Sequence, residues 1–141
     1  MGHHKRVAVI VDTSFLMAMA SGIIAPSMIA EALEASHELI APRAVRDELV
    51  RIANASSPRN RRLARRALEL ASIIGVKFLN EYTGNADDAI EALARDLKVS
   101  GPVVVATNDR GLRRRLRRLG VPSLYYRESE AMLEVEWEPL E

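Results

Sequence analysis

Four carboxylates, Asp12, Glu48, Asp88 and Asp109, stand where apolar runs stop or where the following helix begins. Asp12 closes VAVIVD and Asp109 closes PVVVATND. Glu48 falls one turn into the helical segment after ELIAP, and Asp88 at the start of the helical segment after VKFLN. If the apolar runs are parallel strands, all four acids converge on one edge of the sheet. Crowded carboxylates repel one another, so the arrangement favours a cation among them. Oxygen-only donors suit hard divalent ions, here Mg²⁺ or Mn²⁺. Such an ion lowers the pKa of a bound water and offsets charge on a phosphate and its leaving oxygen. The chain has no cysteine nucleophile, and its histidines lie away from the acids in sequence, so metal-activated water is the economical mechanism. Thr13, Ser14, Thr107 and Asn108 flank the outer two acids, placed to hydrogen-bond the carboxylates or bound waters.

Each acid also has an ordinary structural reading. Asp12 and Asp109 suit helix caps, Asp87 and Asp88 are both good first-turn residues, and Glu48 alone is a common exposed helix acid. Thr13 and Ser14 equally suit a cap. Capping needs one acid per helix, however, and does not need the helices to converge.

The elements that must position these groups follow from the hydrophobic pattern. Residues 6 to 12 form a β-branched run typical of a strand buried on both faces. A helix opens at Thr13, and a second runs from Pro26-Ser27 to about Ala35. Glu38 to Ala41 reads as a second strand ended by Pro42, and a helix spans Arg43 to about Ala55. Asn54 to Pro58 is the clearest break, after which residues 59 to 73 are helical and Gly75 ends them as a C-cap. The remaining expectations are a strand at Val76 to Leu79 and a helix from about Ala86 to Leu97. They continue with a strand at Val103 to Ala106, a helix over 110 to 119, a strand at Ser123 to Tyr126, and an edge strand at Met132 to Trp137. Alternating strands and helices predict an α/β fold, a three-layer α/β/α sandwich around a mostly parallel sheet, whose ligands bind beyond the strands' C-terminal ends.

The 141 residues suit one domain spanning 1 to 141, with 48% apolar content typical of a soluble protein. No apolar stretch approaches the ~20 residues that cross a bilayer, so no membrane partner is expected. The start, MGHHKRVAVIVDTS, enters a strand at once without a cleavage site, so a signal peptide is not expected. The lack of cysteine is compatible with a cytoplasmic location. The absence of glutamine and the abundant charge hint at a hot environment.

Net charge is only +1, but its distribution is uneven. Two blocks are rich in arginine, RNRRLARR at 59 to 66 and RGLRRRLRR at 110 to 118, and the tail is acidic. Each basic helix can keep its leucines inward and its arginines outward. Like charges at helical spacing call for a counterion, and polyphosphate supplies one. The RNA-binding candidates are Arg59, Arg61, Arg62, Arg65, Arg110, Arg113 and Arg114. Arginine also stacks on unpaired bases, which suits single-stranded RNA. Tyr82, Tyr125, Tyr126 and Trp137 are the aromatic candidates.

Taken together, VIVDTSFLM, LIAPRAVRDEL, NADDAIEALA and VVVATNDRGLRRRLRRLGVPSLYY resemble the PIN-domain ribonucleases. The resemblance covers most of the chain and keeps the family's order of acids. It implies divalent-metal-dependent cleavage of single-stranded RNA, with Asp12, Glu48, Asp88 and Asp109 as catalytic and metal-holding residues. Thr107 and Asn108 match the polar residues that accompany the last acid. The third acid falls in the pair Asp87-Asp88. Asp88 is assigned because the motif's acid precedes Ala and an apolar residue, which leaves Asp87 as a neighbour. The ending GVPSLYYR resembles archaeal proteins related to ribosomal-RNA-processing nucleases. Toxins of toxin–antitoxin pairs carry the same acids. A role in RNA processing is therefore expected ahead of a toxin with an antitoxin partner, or of a non-catalytic RNA-binding module in a ribosomal particle. The resemblance also implies a homodimer, for which the second helix, with Met17, Met19, Ile23 and Ile24 preceding it, offers apolar surface.

Overall fold

The computed structural model describes residues 6–136. Its centre is β1 (Val7–Val11), VAVIV, in which every residue is buried. Alternate side chains of a strand point to opposite faces, so burial of all five means that both faces of the sheet are covered. The same holds for β4 (Val103–Ala106). With β2 (His37–Ala41), β3 (Lys77–Phe78), β5 (Ser123–Arg127) and β6 (Met132–Glu136), they make one sheet in the order β3-β2-β1-β4-β5-β6. All pairings are parallel except β5 with β6. This is the α/β sandwich with a mostly parallel sheet that the hydrophobic pattern predicts.

The order contains the feature that matters for a site. From β1 the chain moves outward through β2 to β3, then returns to lay β4 on the other side of β1. The crevice beyond the C-terminal ends of β1 and β4 is therefore the switch point where open sheets leave room for a ligand. Asp12 follows β1 there, and Asp109 lies three residues beyond β4. Register fixes them together: Val11 pairs with Ala106, and Asp12 N–H donates to the Ala106 carbonyl at 3.2 Å.

Among the described residues six α-helices complete the layers: α1 (Thr13–Ala20), α2 (Ser27–Leu33), α3 (Arg43–Ala55), α4 (Pro58–Ile74), α5 (Ala86–Ser100) and α6 (Arg110–Leu119). α3 and α4 pack on each other and on α1, while α5 lies against β4 and β1 beside α6. α2 stops at Leu33, short of Ala35, because Glu34 adopts a left-handed φ of 51°. β3 shrinks to two residues at the sheet edge, and a 3₁₀ turn at Glu128–Glu130 joins β5 to β6. His3, His4 and Trp137 lie outside the described residues.

The apolar surface expected for a dimer is mostly spent inside the protein. Met19 and Ile24 are buried and Met17 is half-buried, which leaves only Ile23 of that group exposed. These residues complete the core around α1, and in α2 itself Ile29 and Leu33 are buried as well. Among the described residues, no helix is long and apolar enough to cross a membrane.

Candidate functional site

Asp12 has two tasks. Its Oδ1 accepts the Phe15 N–H at 2.7 Å and so caps α1, and its carboxylate lines a pocket of about 260 Å³. Three more acids line the same pocket: Glu48 from α3, Asp87 from the first turn of α5, and Asp109 ahead of α6. Thr13, Ser14 and Asn85 complete its polar lining, and no lysine, arginine or histidine takes part.

Each acid is held by its element. α3 has no side-chain cap. Instead its first N–H groups, on Arg43 and Ala44, donate to the carbonyls of Glu81 and Tyr82 in the loop that leads to α5. Tyr82 sits at a left-handed φ of 64°, an uncommon conformation for a residue with a Cβ. Through this loop the start of α3, one turn from Glu48, is tied to the start of α5. Asn85 caps α5 by accepting the Asp88 N–H at 3.1 Å, which sets the rotation of that helix. Asp109 caps α6 by accepting the Leu112 N–H at 2.8 Å. Gly111 leaves it room, because a Cβ there would come within 3.3 Å of Asp109 Oδ1. Gly111 is a supporting residue that motif reading passes over, and its signal is a glycine two residues beyond a capping acid.

Thr107 links the outer pair. Fully buried, its hydroxyl donates to the Asp12 carboxylate and accepts the Asp109 N–H at 3.1 Å. Asn108 does something different from what its position predicts. Its side chain accepts the Tyr126 N–H at 2.8 Å and donates to the Tyr126 carbonyl at 2.9 Å, so it clamps the loop after β4 to β5 and does not serve the carboxylates.

Asp88, the member of the pair that the motif assigns, does not line the pocket. Asp87, half-buried, faces the pocket, whereas Asp88 has a 71% exposed side chain and pairs with Arg115 at 2.6 Å. Consecutive helical residues lie about 100° apart, so only one of the two can face inward.

The electrostatics record the crowding. Burial pushes the Asp12 carboxyl up to about 6, offset in part by the Thr107 and Phe15 hydrogen bonds and reinforced by Asp87 and Asp109. Asp87 is also raised, first by burial and then by Asp109, with Glu48 and Asp88 adding to it and Arg115 opposing it. Among the described residues no three of the acids are drawn around a single point as metal ligands, so they line the pocket without meeting at its centre. The donor set nonetheless fits a hard cation, being all oxygen, net negative and without a resident counterion. The Thr13 hydroxyl adds a buried polar atom with no partner in the same lining.

The two basic blocks divide. On α4, Arg59, Arg62 and Arg66 line a groove of about 380 Å³ with Ser21, and Arg65 is exposed. Arg61 donates to the Ser56 carbonyl at 3.3 Å. On α6, Arg110 and Arg114 are exposed, but Arg113 is not available to RNA. It pairs with Glu136 at 3.2 Å and lies 3.8 Å from the Tyr125 ring centroid, with a side chain only 15% exposed. Arg117 shares Glu136 at 2.9 Å, and Arg115 bridges Glu91 and Asp88.

The model of the PIN-like domain family matches residues 9–129. A solved structure of the PIN domain endonuclease Utp24 superposes with a TM-score of 0.74, covering 95% of this chain and 96% of its own at 24% identity. A mutant T5 5′-exonuclease superposes with a TM-score of 0.53, covering 92% of this chain but 53% of its own, at 15% identity. These likenesses are of fold. No curated protein sequence matches the chain.

Proposed function

The chain belongs to the PIN-like domain family, and from that premise we propose that it is a metal-dependent endoribonuclease acting on single-stranded RNA. The observation that carries this reading is the pocket at the sheet's switch point, lined by Asp12, Glu48, Asp87 and Asp109 with no cationic side chain. Mg²⁺ or Mn²⁺ bound there would supply an activated water and charge neutralisation at the scissile phosphate. The four carboxylates would hold it, in part through water, as such ions commonly retain several water ligands. The protein's own contribution is positional. Thr107 fixes Asp12 and the Asp109 backbone relative to each other, the 81–82 loop ties α3 to α5, and Asn85 sets the rotation that aims Asp87 inward. Asp109 capping α6 leaves one of its oxygens, Oδ1, engaged with the helix.

The α4 groove, with Arg59, Arg62 and Arg66, is the reading's phosphate track; Arg65, Arg110 and Arg114 add exposed positive charge. The fold shared with the PIN domain endonuclease Utp24 supports the choice of internal cleavage, and the resemblance of the GVPSLYYR ending to processing nucleases puts a processing role ahead of a toxin. The test is a cleavage assay on end-labelled single-stranded and duplex RNA with Mg²⁺, Mn²⁺ or excess chelator. Internal cuts in the single strand that need the metal are expected. Cleavage that persists in chelator, or none under any condition, would overturn the proposal. A non-catalytic RNA-binding module would give the second result while still binding RNA.

A further inference from the structure

Next to the acid pocket, and sharing Ser14 with it, lies a groove of about 290 Å³ with a different character. Buried Phe15 and Ile24 form its apolar base, and the more exposed Ile23 and Tyr126 line it further out. Asn108 and Glu128 supply its remaining polar lining. Asn108 is rigid, because both ends of its amide are engaged by the Tyr126 backbone. The Ser14 hydroxyl, the Tyr126 hydroxyl and the Glu128 carboxylate have no hydrogen-bond partner among the described residues.

The chemistry of the lining decides the occupant. No lysine or arginine lines the groove and one carboxylate does, so a phosphate is disfavoured. An apolar base beside an aromatic ring suits a flat, weakly hydrated group such as an unstacked nucleobase. The groove adjoins the pocket in which the nuclease reading places the scissile phosphate. A strand with its phosphate at the acids would thus have a neighbouring base within reach of the groove.

We propose that this groove receives the base adjacent to the scissile phosphate of single-stranded RNA and that Glu128 selects guanine there, an inference that rests on the nuclease reading. An ionised carboxylate is acceptor-only and has two oxygens. Guanine alone presents two donors side by side on its Watson–Crick edge, the ring N1–H and the exocyclic amino group. Adenine, cytosine and uracil each place an acceptor beside their donor on that edge, so one carboxylate oxygen would face a lone pair.

Fluorescence anisotropy on labelled RNA octamers tests this, with U₈ compared against the same strand carrying one central G, A or C. Every protein in this comparison also carries Asp12→Asn and is measured with Mg²⁺ present, which keeps the strands intact without removing the cation that offsets the phosphate's charge. The G strand is expected to bind about tenfold more tightly than the others, as one good bidentate contact provides. Glu128→Gln should reduce that preference to less than about twofold, because the amide keeps only one acceptor. Tyr126→Leu should weaken all four strands. Equal affinity for the four, no binding, or a guanine preference that survives Glu128→Gln would overturn the proposal. The two readings fail separately. A guanine preference without metal-dependent cleavage would overturn the nuclease reading alone, and cleavage without base preference would overturn only this one.

Discussion

The acid pocket and the α6–β6 face are both dense in charge, and they handle it in opposite ways. On the α6–β6 face both described acids of β6 have basic partners: Glu136 takes Arg113 and Arg117, and Glu134 takes Arg127. In the pocket, Asp12, Glu48, Asp87 and Asp109 line one space with no cation among them, and burial and mutual repulsion raise Asp12 and Asp87. Compensated charge of the first kind holds β6 and α6 in place. Uncompensated charge of the second kind costs stability in the protein alone and is retained where a ligand supplies the missing sign. The boundary between the two runs between adjacent residues, since Asp87 belongs to the pocket and Asp88 to the ion-paired surface.

The largest expected effect breaks the comparison on the pocket side. Asp12→Asn should lower RNA cleavage by about a thousandfold, more than loss of a supporting hydrogen bond costs. Asparagine is as good a helix cap as aspartate, so α1 and the circular dichroism spectrum should be unchanged.

Next is the dependence of stability on pH. The Asp12 carboxyl is raised from 3.8 to about 6 on folding. The folded protein therefore binds the proton more tightly than the unfolded chain, and stability falls as pH rises between those two values. At about 1.4 kcal/mol per unit, the metal-free protein should lose on the order of 3 kcal/mol between pH 4 and pH 7 from this group. Urea denaturation in chelator at several pH values measures it, and Asp12→Asn should remove that component. A flat profile in wild type would mean that the carboxylate is not strained.

On the paired face the sign reverses. The two arginines, Arg117 first, hold the Glu136 carboxyl below its ordinary range against the opposing effect of burial. Its contribution is present above the unfolded pKa and is lost as pH falls through the folded one. Glu136→Gln should cost about 1–2 kcal/mol at neutral pH by denaturant titration, leaving two partly buried guanidiniums short of a counterion. Cleavage per folded molecule should stay close to wild type.

The smallest effect separates the two basic helices. Arg62→Ala, in the α4 groove, should weaken RNA binding uniformly across sequences and reduce the salt slope by roughly 0.7, one phosphate contact on a single strand. Arg113→Ala should instead register as lost stability, because that side chain is already committed to Glu136 and Tyr125.

Much of this was legible from residues alone. Buried apolar runs ending in acids located β1 and β4 and put Asp12 and Asp109 at one edge of the sheet, while the strand order that makes them neighbours came from the structure. ELIAP followed by a helix placed Glu48. What could not be read depended on rotation and on distant partners. Whether Asp87 or Asp88 turns inward depends on how α5 is rotated, which Asn85 and the packing of Ala89, Ile90, Leu93 and Ala94 decide. A helical wheel drawn from that buried face puts Asp88 nearly opposite it and Asp87 on its flank, and this signal outranks the motif's following alanine. The commitment of Arg113 depends on Glu136, which comes from β6 and is far from it in sequence. Asn108 reads as a companion of Asp109 because it is adjacent, yet its amide mimics a peptide group and bonds β5.

The most direct measurement sets the two neighbours against each other. Mn²⁺ affinity by calorimetry and cleavage of a labelled single strand should be compared for Asp87→Asn and Asp88→Asn. Asp87→Asn is expected to lose both, each by at least about a hundredfold, while Asp88→Asn binds the metal and cleaves almost as wild type does. Loss in Asp88→Asn with Asp87→Asn intact, or equal and unimpaired behaviour in both, would contradict this expectation.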